Sequence, residues 1–432
     1  MAAQAADETL IEALVALVAA KPVRAADLEQ AALLTLDALA NAVAGRASAP
    51  GVILQRWAAA NGVLDAGREA FLLGALTHIL ETDDLHRASV VHPGCVVVPA
   101  AWAVARREGC RGQAFLRAVL WGFEAATRVG MAVGPAHYRL WHNTAACGPY
   151  GSALAAAALL RLDAAATVHA LANAGAQSFG LWQFLASGAM TKHLHAGRAA
   201  EAGVLAADLA RLGFTGPPAM LEGAKGWFAA TCPDADPGAV LRDPDAPWQL
   251  LNTSLKPWPS CRHTHPALDA ALELRMLIGN RPVVNVVVET YPAALEVCNR
   301  PEPNSDYEAK FSLQHAVAAA LSMPVVDFAA FAGAARTALA PLRQRIVLRV
   351  AEPYAAAYPQ AWGAAVQVTL ADGSLYTVRR RHALGDPEMP LSAAGVIAKA
   401  RQLLAHGGAD AAERFIDGIL ALSDDASLPE FP

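Results

Sequence analysis

Lys256, Cys261, Arg262, His263 and His265 fall within ten residues, KPWPSCRHTH, of a chain in which only 17% of residues are charged. Ordinary globular domains carry about a quarter. Pro257 and Pro259 cannot donate backbone hydrogen bonds and push their neighbours out of helical geometry, so the stretch reads as extended or looped. Two permanent cations, two imidazoles and a thiol on a rigid loop suit the gripping of an anion. The bland alternative is a solvated linker. A second concentration is ETDDLHRASVVHPG, with Glu81, Asp83, Asp84, His86, Arg87 and His92. Carboxylates this close raise one another's pKa, and the cations oppose that rise; a helix end with solvated charges would look the same. A third holds Lys192, His193, His195 and Arg198, and His142 stands before an Ala-rich run where a helix N-terminus would favour an anion. His169, in a nearly uncharged helical run, reads as structural.

The elements that must carry these groups follow from periodicity. In ETLIEALVALVAA, Leu10, Ile11, Leu14, Leu17 and Val18 share one helix face. Further helices are expected over about 26–44, 66–80, 99–108 (opened by Pro99), 113–133, after His142, from about 164, after Arg198, and from Pro266. After about Gly279 the texture changes. PVVNVVVETY and RQRIVLRVAEP read as strands, 309–323 as a helix, and AAVQVTLADGSLYTVRRR as a hairpin around an Ala-Asp-Gly-Ser turn. Helices return at 393–405, with Ser392 as N-cap, and at 411–422. The fold class is therefore mainly α with α+β: a large all-helical domain formed by both chain ends (1–265 and 393–432) and a smaller α+β lid domain (266–392).

The length of 432 residues suits two domains. Apolar residues reach 55%, yet no run approaches the roughly 20 residues a membrane span needs. A net charge of −5 without a basic block gives no reason to expect nucleic acid. Asp7 and Glu8 in MAAQAADETL fit no signal peptide, and six scattered cysteines fit reduced thiols, so a cytoplasmic setting is expected. There is no Walker, Rossmann or Gly-x-Ser-x-Gly pattern.

Taken together, ETDDLHRASVVHPG, WHNTAACGPYGSALAAAALLRLD, MTKHLHAGRAAEAGVLAADLARLGFTGP, KPWPSCRHTHPALDAAL, AKFSLQHAVAAAL and LADGSLYTVRRRHALGDPEMPLS resemble, in order and over nearly the whole chain, the MmgE/PrpD family. That family includes 2-methylcitrate dehydratase, cis-aconitate decarboxylase and iminodisuccinate epimerase. The resemblance implies a homodimer, no metal or organic cofactor, and a cleft between the domains whose matching positions are Asp83, Asp84, His92, His142, Lys192, Lys256 and His265. Glu81 replaces the usual Asp of decarboxylase members, Leu85 the usual Thr, and His315 the common Tyr, which leaves the reaction open.

The implied substrates are di- or tricarboxylates. Lys192, Arg198, Lys256, Arg262 and Lys310 supply cations for several carboxylates, and histidine suits the proton transfers. The expected catalytic set is His92, His142, Lys192, Lys256, His265 and Asp83. Asp84, Arg198, Arg262, His263, Lys310 and His315 are expected to bind substrate, His315 from a helix face turned to the cleft. Zinc on His193-x-His195 or His263-x-His265, with Asp83 or Asp269, is the chemical rival, and the neighbouring cations argue against it. A lyase is the simplest reading, with an epimerase or a catalytically silent member as alternatives.

Overall fold

The computed structural model describes residues 8–432; the leader reading of residues 1–7 lies outside them. The chain divides into a helical unit, residues up to Ser254 together with Ser392–Pro432, and an α+β unit, Leu255–Leu391. The boundary falls ahead of the cationic loop, which the sequence reading assigned to the helical domain. The backbone explains why: Leu255 N donates to Gly385 O and Cys261 N to Lys310 O, at 2.9 Å each.

The helical unit is built on helices whose starts are written in the sequence. Thr9, Ser48, Asp65, Asp163 and Ser392 each accept a backbone N–H from the first turn that follows, which satisfies a donor the helix cannot use itself. Helix Ala25–Gly45 is buried along most of its length. Asn143–Leu159 is buried almost throughout, and half of what it buries is Ala or Gly. Small side chains let it pack closely against Gly112–Ala132 and Thr191–Arg211. Helix Ala393–His406, reached after the α+β unit, packs on Ala25–Gly45. Among the described residues no helix is long and apolar enough to cross a membrane.

Two short strands, β1 (Leu85–His86) and β2 (Thr253–Ser254), pair antiparallel in this unit. The α+β unit carries β3 (Val283–Thr290), β4 (Ile346–Val350), β5 (Ala364–Leu370) and β6 (Leu375–Arg380), in the order β4-β3-β5-β6. β3 runs parallel to β4 and antiparallel to β5, and β5–β6 is the expected hairpin. Val286, Val288 and Thr290 alternate inward from β3. Helix His265–Ile278 covers β5 and β6.

Several boundaries differ from the sequence reading: the helix expected after Arg198 already starts at Thr191, so Lys192, His193, His195 and Arg198 lie on it, and the helix expected over 66–80 ends at Thr77. The helix expected at Pro99 starts at Gly94, because the Asp84 carboxylate accepts the Gly94 N–H at 3.0 Å and anchors the turn earlier. The helix expected over 309–323 breaks into Asp306–Lys310 and Leu313–Ser322. Ser312 caps the second piece by accepting the His315 N–H at 3.0 Å.

Candidate functional site

Helix Ala66–Thr77 ends one residue before His78, and the chain turns through Glu81–Asp84 before Gly94 starts the next helix. Glu81 takes φ +60°, a left-handed conformation uncommon for a side chain of its size. Four consecutive residues of this turn are each held by a different part of the helical unit. Glu81 pairs with Lys192. The Thr82 hydroxyl donates to Asn41, and its carbonyl accepts from Lys399 Nζ at 2.6 Å. Asp83 Oδ2 lies 2.6 Å from His78 Nδ1 and 3.1 Å from His92 Nδ1. Asp84 accepts the Gly94 N–H, and a Cβ at Gly94 would meet the carboxylate at 2.9 Å and displace it.

Around Asp83 the imidazoles form a continuous group. His78 stands edge-on to His92 with centroids 4.7 Å apart and stacks on His142 at 5.5 Å. His142 Nδ1 lies 3.3 Å from His195 Nδ1. His142 caps helix Asn143–Leu159 with its backbone, and its own N–H donates to Gly180 O at 2.8 Å. Gly180, at φ +112°, must be glycine, since a Cβ would sit 2.5 Å from that of Ala145. Trp182, 4.6 Å from His142, and Phe184, 5.5 Å from His195, close the outer side. Beside them a cleft of about 660 Å³, lined by Trp141, Phe179, Gly180, Phe184 and His195, reaches the group. Another cleft of about 630 Å³, around Lys21, Arg24 and Trp248, shares no lining residue with it.

Burial dominates the electrostatics. It depresses His78 to about 3 despite the opposing pull of Asp83, and His142 well below 6.5, with His78 and Lys192 adding to the fall. His193 and His195 are each lowered to about 4, chiefly by desolvation. These rings are neutral at pH 7. Asp83 takes the Nδ1–H of His78, which leaves Nε2 as the basic nitrogen of that ring, and His92 Nδ1 lies 3.1 Å from the same oxygen. His92, its side chain 14% exposed, is less buried than His78 or Asp83.

His78 is absent from the sequence reading because it falls within the apolar run given to helix 66–80. The structure ends that helix at Thr77, which turns the ring onto Asp83. Arg198 is not in the group: it lies exposed beside Glu201 at 2.5 Å. Asp84 is used as the anchor for Gly94.

In the α+β unit the cationic loop closes on itself. Arg262 pairs with Asp386 at 2.5 Å and donates to Leu384 O at 3.0 Å and His265 Nδ1 at 2.8 Å. His265 Nε2 donates to Ser260 O at 3.1 Å, so both nitrogens of this ring are engaged within the unit. His263 meets the Tyr291 hydroxyl at 2.7 Å and stacks on Trp362 at 4.4 Å, and burial lowers it to about 4. Lys256 is buried, and Lys310 lies over Phe328 at 5.4 Å. His315 does not reach an opening: it is fully buried, with Nε2 donating to Ala330 O at 2.8 Å and Nδ1 accepting from Arg343 at 3.4 Å. The sequence reading had turned this helix face to the cleft; here the piece that restarts after Ser312 buries it.

Neither histidine pair considered for zinc assembles a ligand set. Among the described residues, the groups close enough to hold a metal are His78, Asp83 and His92, and His382, Asp386 and Glu388. In the first, His78 Nδ1 is already hydrogen-bonded to Asp83 Oδ2 at 2.6 Å; in the second, Asp386 is committed to Arg262.

Residues 11–239 match the model of the MmgE/PrpD N-terminal domain, and residues 258–424 that of the MmgE/PrpD C-terminal domain. The chain is similar to the cis-aconitate decarboxylase-like protein oryM of Aspergillus oryzae, 30% identical over 232 residues covering 50% of this chain and 48% of that protein. It is similar to human cis-aconitate decarboxylase, 30% identical over 266 residues, 58% of this chain and 54% of that one. Mouse cis-aconitate decarboxylase is 27% identical over 346 residues, 75% and 68% of the two chains. The chain thus spans about half the length of the first two relatives.

Proposed function

The chain belongs to the MmgE/PrpD family, and from that premise we propose that it is a lyase that eliminates water or CO₂ from a di- or tricarboxylate without a cofactor. The observation that carries this reading is Asp83 Oδ2 within hydrogen-bond reach of two imidazoles at once, 2.6 Å from His78 and 3.1 Å from His92. Such a carboxylate fixes the tautomer and aim of a base, as the acid member of a catalytic dyad does. His92 Nε2 is the acid–base atom. In a dehydration it removes the proton next to a substrate carboxylate while a protonated group returns one to the departing hydroxyl. In a decarboxylation the C–C bond to the leaving carboxylate breaks, the electron pair spreads over the remaining unsaturated acid, and a proton is delivered to carbon.

Both routes build negative charge that a fixed cation must meet. Lys192 is assigned that role, with a substrate carboxylate as its ligand. His142 and His195, neutral at pH 7, orient the substrate by hydrogen bonds. Arg262 and His265 hold their loop together, and Arg198 plays no part. The names of the relatives favour decarboxylation of a cis-aconitate-like acid among these routes.

The test is to incubate purified protein with cis-aconitate, 2-methylcitrate, citrate and iminodisuccinate in D₂O and follow products by NMR. Turnover of one tricarboxylate with activity retained after exhaustive chelation is the expected result, with deuterium entering the product carbon that takes a proton if the reaction is decarboxylation and an unsaturated product without it if the reaction is dehydration. Epimerisation of iminodisuccinate alone would replace the lyase reading with the isomerase one. No reaction with any of the four would overturn both.

A further inference from the structure

Helix Ala393–His406 carries a buried lysine, Lys399, whose Nζ lies 2.5 Å from Asp37 Oδ1 on helix Ala25–Gly45. Both side chains are almost wholly buried, at 8% and 2% exposure. A buried ion pair is a poor stabiliser: desolvating two charges offsets most of their attraction, and an apolar pair of similar volume commonly does as well or better. The pair therefore calls for another explanation. Lys399 supplies one, since the same ammonium donates to Thr82 O at 2.6 Å. Asp37 is held in turn by Asn41, which donates to the Asp37 carboxylate at 3.3 Å and accepts the Thr82 hydroxyl. Thr82 stands between Glu81, in its left-handed conformation, and Asp83.

We propose that Asp37 and Lys399 are positioning residues: they clamp the Thr82 carbonyl and so fix the direction in which Asp83 presents its carboxylate to His78 and His92. Neither touches substrate. The carboxylate reached by two imidazoles is one peptide unit from the clamped carbonyl, so rotation of that unit swings Asp83 away from its partners. The left-handed Glu81 turn resists relaxation only while its surroundings hold it. The clamp spans the chain, because Asp37 comes from its first helices and Lys399 from the segment that returns after the α+β unit. The catalytic part of this inference rests on the acid–base role given above to Asp83; its structural part does not.

The test replaces the charge pair by an apolar one, Asp37→Leu with Lys399→Met, and adds Lys399→Arg as a variant that keeps the charge. The double variant should keep or raise its melting temperature and lose about 10–100-fold in kcat, the scale of a misplaced catalytic group, with KM little changed. Lys399→Arg should fall between it and the parent, since a planar guanidinium can pair with Asp37 while missing the carbonyl. A second reading needs no turnover: the proton NMR signal of the His78 Nδ1–H group, shifted downfield by the carboxylate it donates to, should move upfield or vanish in the double variant. A double variant with unchanged kcat and an unchanged imidazole signal overturns the proposal. If it does not fold, Lys399→Arg decides on the same two measurements. If the parent turns over no polycarboxylate, the lyase reading falls, and the imidazole signal still decides whether the clamp aims Asp83.

Discussion

In the α+β unit, Arg262, His265, Ser260 and Asp386 use up one another's hydrogen-bonding groups within the Lys256–His265 loop and the turn that faces it. In the helical unit, His78 Nε2 and His193 Nδ1 are buried with no hydrogen-bond partner. Both regions are dense in imidazole and cation, and they spend those groups differently. A loop with two prolines and few backbone pairings must satisfy its polar groups from its own side chains, so a cluster contiguous in sequence tends to become its own framework. The helical unit gathers His78, Asp83, His92, His142, Lys192 and His195 from four separate segments on a scaffold already complete without them. Buried polar atoms left unmatched are costly; in the α+β unit the ones so left, such as Gln314 Oε1 and His382 Nδ1, lie outside the cationic loop.

The largest expected effect tests the helical side of that contrast. Asp83→Asn preserves shape but offers His78 and His92 an amide in place of a carboxylate. The reference case for removing the orienting carboxylate of an imidazole base is a loss of about 10⁴ in kcat; about 10³–10⁴-fold is expected here, with a melting temperature close to that of the parent. Near-normal kcat would show that His92 needs no carboxylate, and the acid–base centre would have to move elsewhere.

The α+β side predicts the reverse pattern. Arg262→Ala removes the cation beside Asp386 while leaving that carboxylate buried on the Ala383 N–H, a change that costs about 3–5 kcal/mol in comparable pairs. Urea unfolding should show most of that loss, and activity per folded molecule should survive better than in Asp83→Asn. A stable, inactive Arg262→Ala would make Arg262 a substrate clamp after all.

Acid should separate the two units next. His78 at about 3 and His193 and His195 at about 4 lie in the helical unit, and His263 at about 4 in the other. A lowered pKa in the folded state means that the unfolded chain binds more protons, so stability is complete above about pH 6.5 and falls as pH drops below it. For His78 and His193 the slope approaches about 1.4 kcal/mol per pH unit each, down to their folded values. Hydrogen exchange at pH 7, 6 and 5 should show the helical unit losing protection more steeply than the α+β unit. Equal slopes would remove the electrostatic half of the contrast.

Much of the scaffold was legible because its signals are local. The Ser392 cap, the turn between β5 and β6, and the return to helix after the α+β unit depend on nearest neighbours in the chain. His92, Asp83 and His142 were also visible, as polar residues crowded at helix ends. His78 was not, since its role depends on a helix stopping three residues before the apolar run does. His315 was misread for the same kind of reason: the Ser312 cap restarts the helix and turns that face inward. The Asp37–Lys399 pair carried no local signal, because its members are 362 residues apart (399 − 37) and each sits in an ordinary amphipathic pattern.

The smallest effect is expected at Arg198, and it sharpens the contrast within one helix. At about 100° per residue, His195 is displaced from Lys192 by only about 60° around the axis, whereas Arg198 is displaced by about 120°. Lys192 and His195 therefore share the inward side, and Arg198 projects to solvent, paired with Glu201 at 2.5 Å with its side chain 46% exposed. An exposed pair of this kind contributes at most about 1 kcal/mol, and often nothing measurable. Arg198→Ala should change unfolding free energy by no more than about 0.5 kcal/mol and leave kcat/KM for the tricarboxylate within about twofold, or ~0.4 kcal/mol. Lys192→Met, six residues earlier, should instead abolish most turnover. If Arg198→Ala raised KM tenfold while Lys192→Met were silent, the anion would sit on the outer face of this helix, and the buried histidine group would be a structural core.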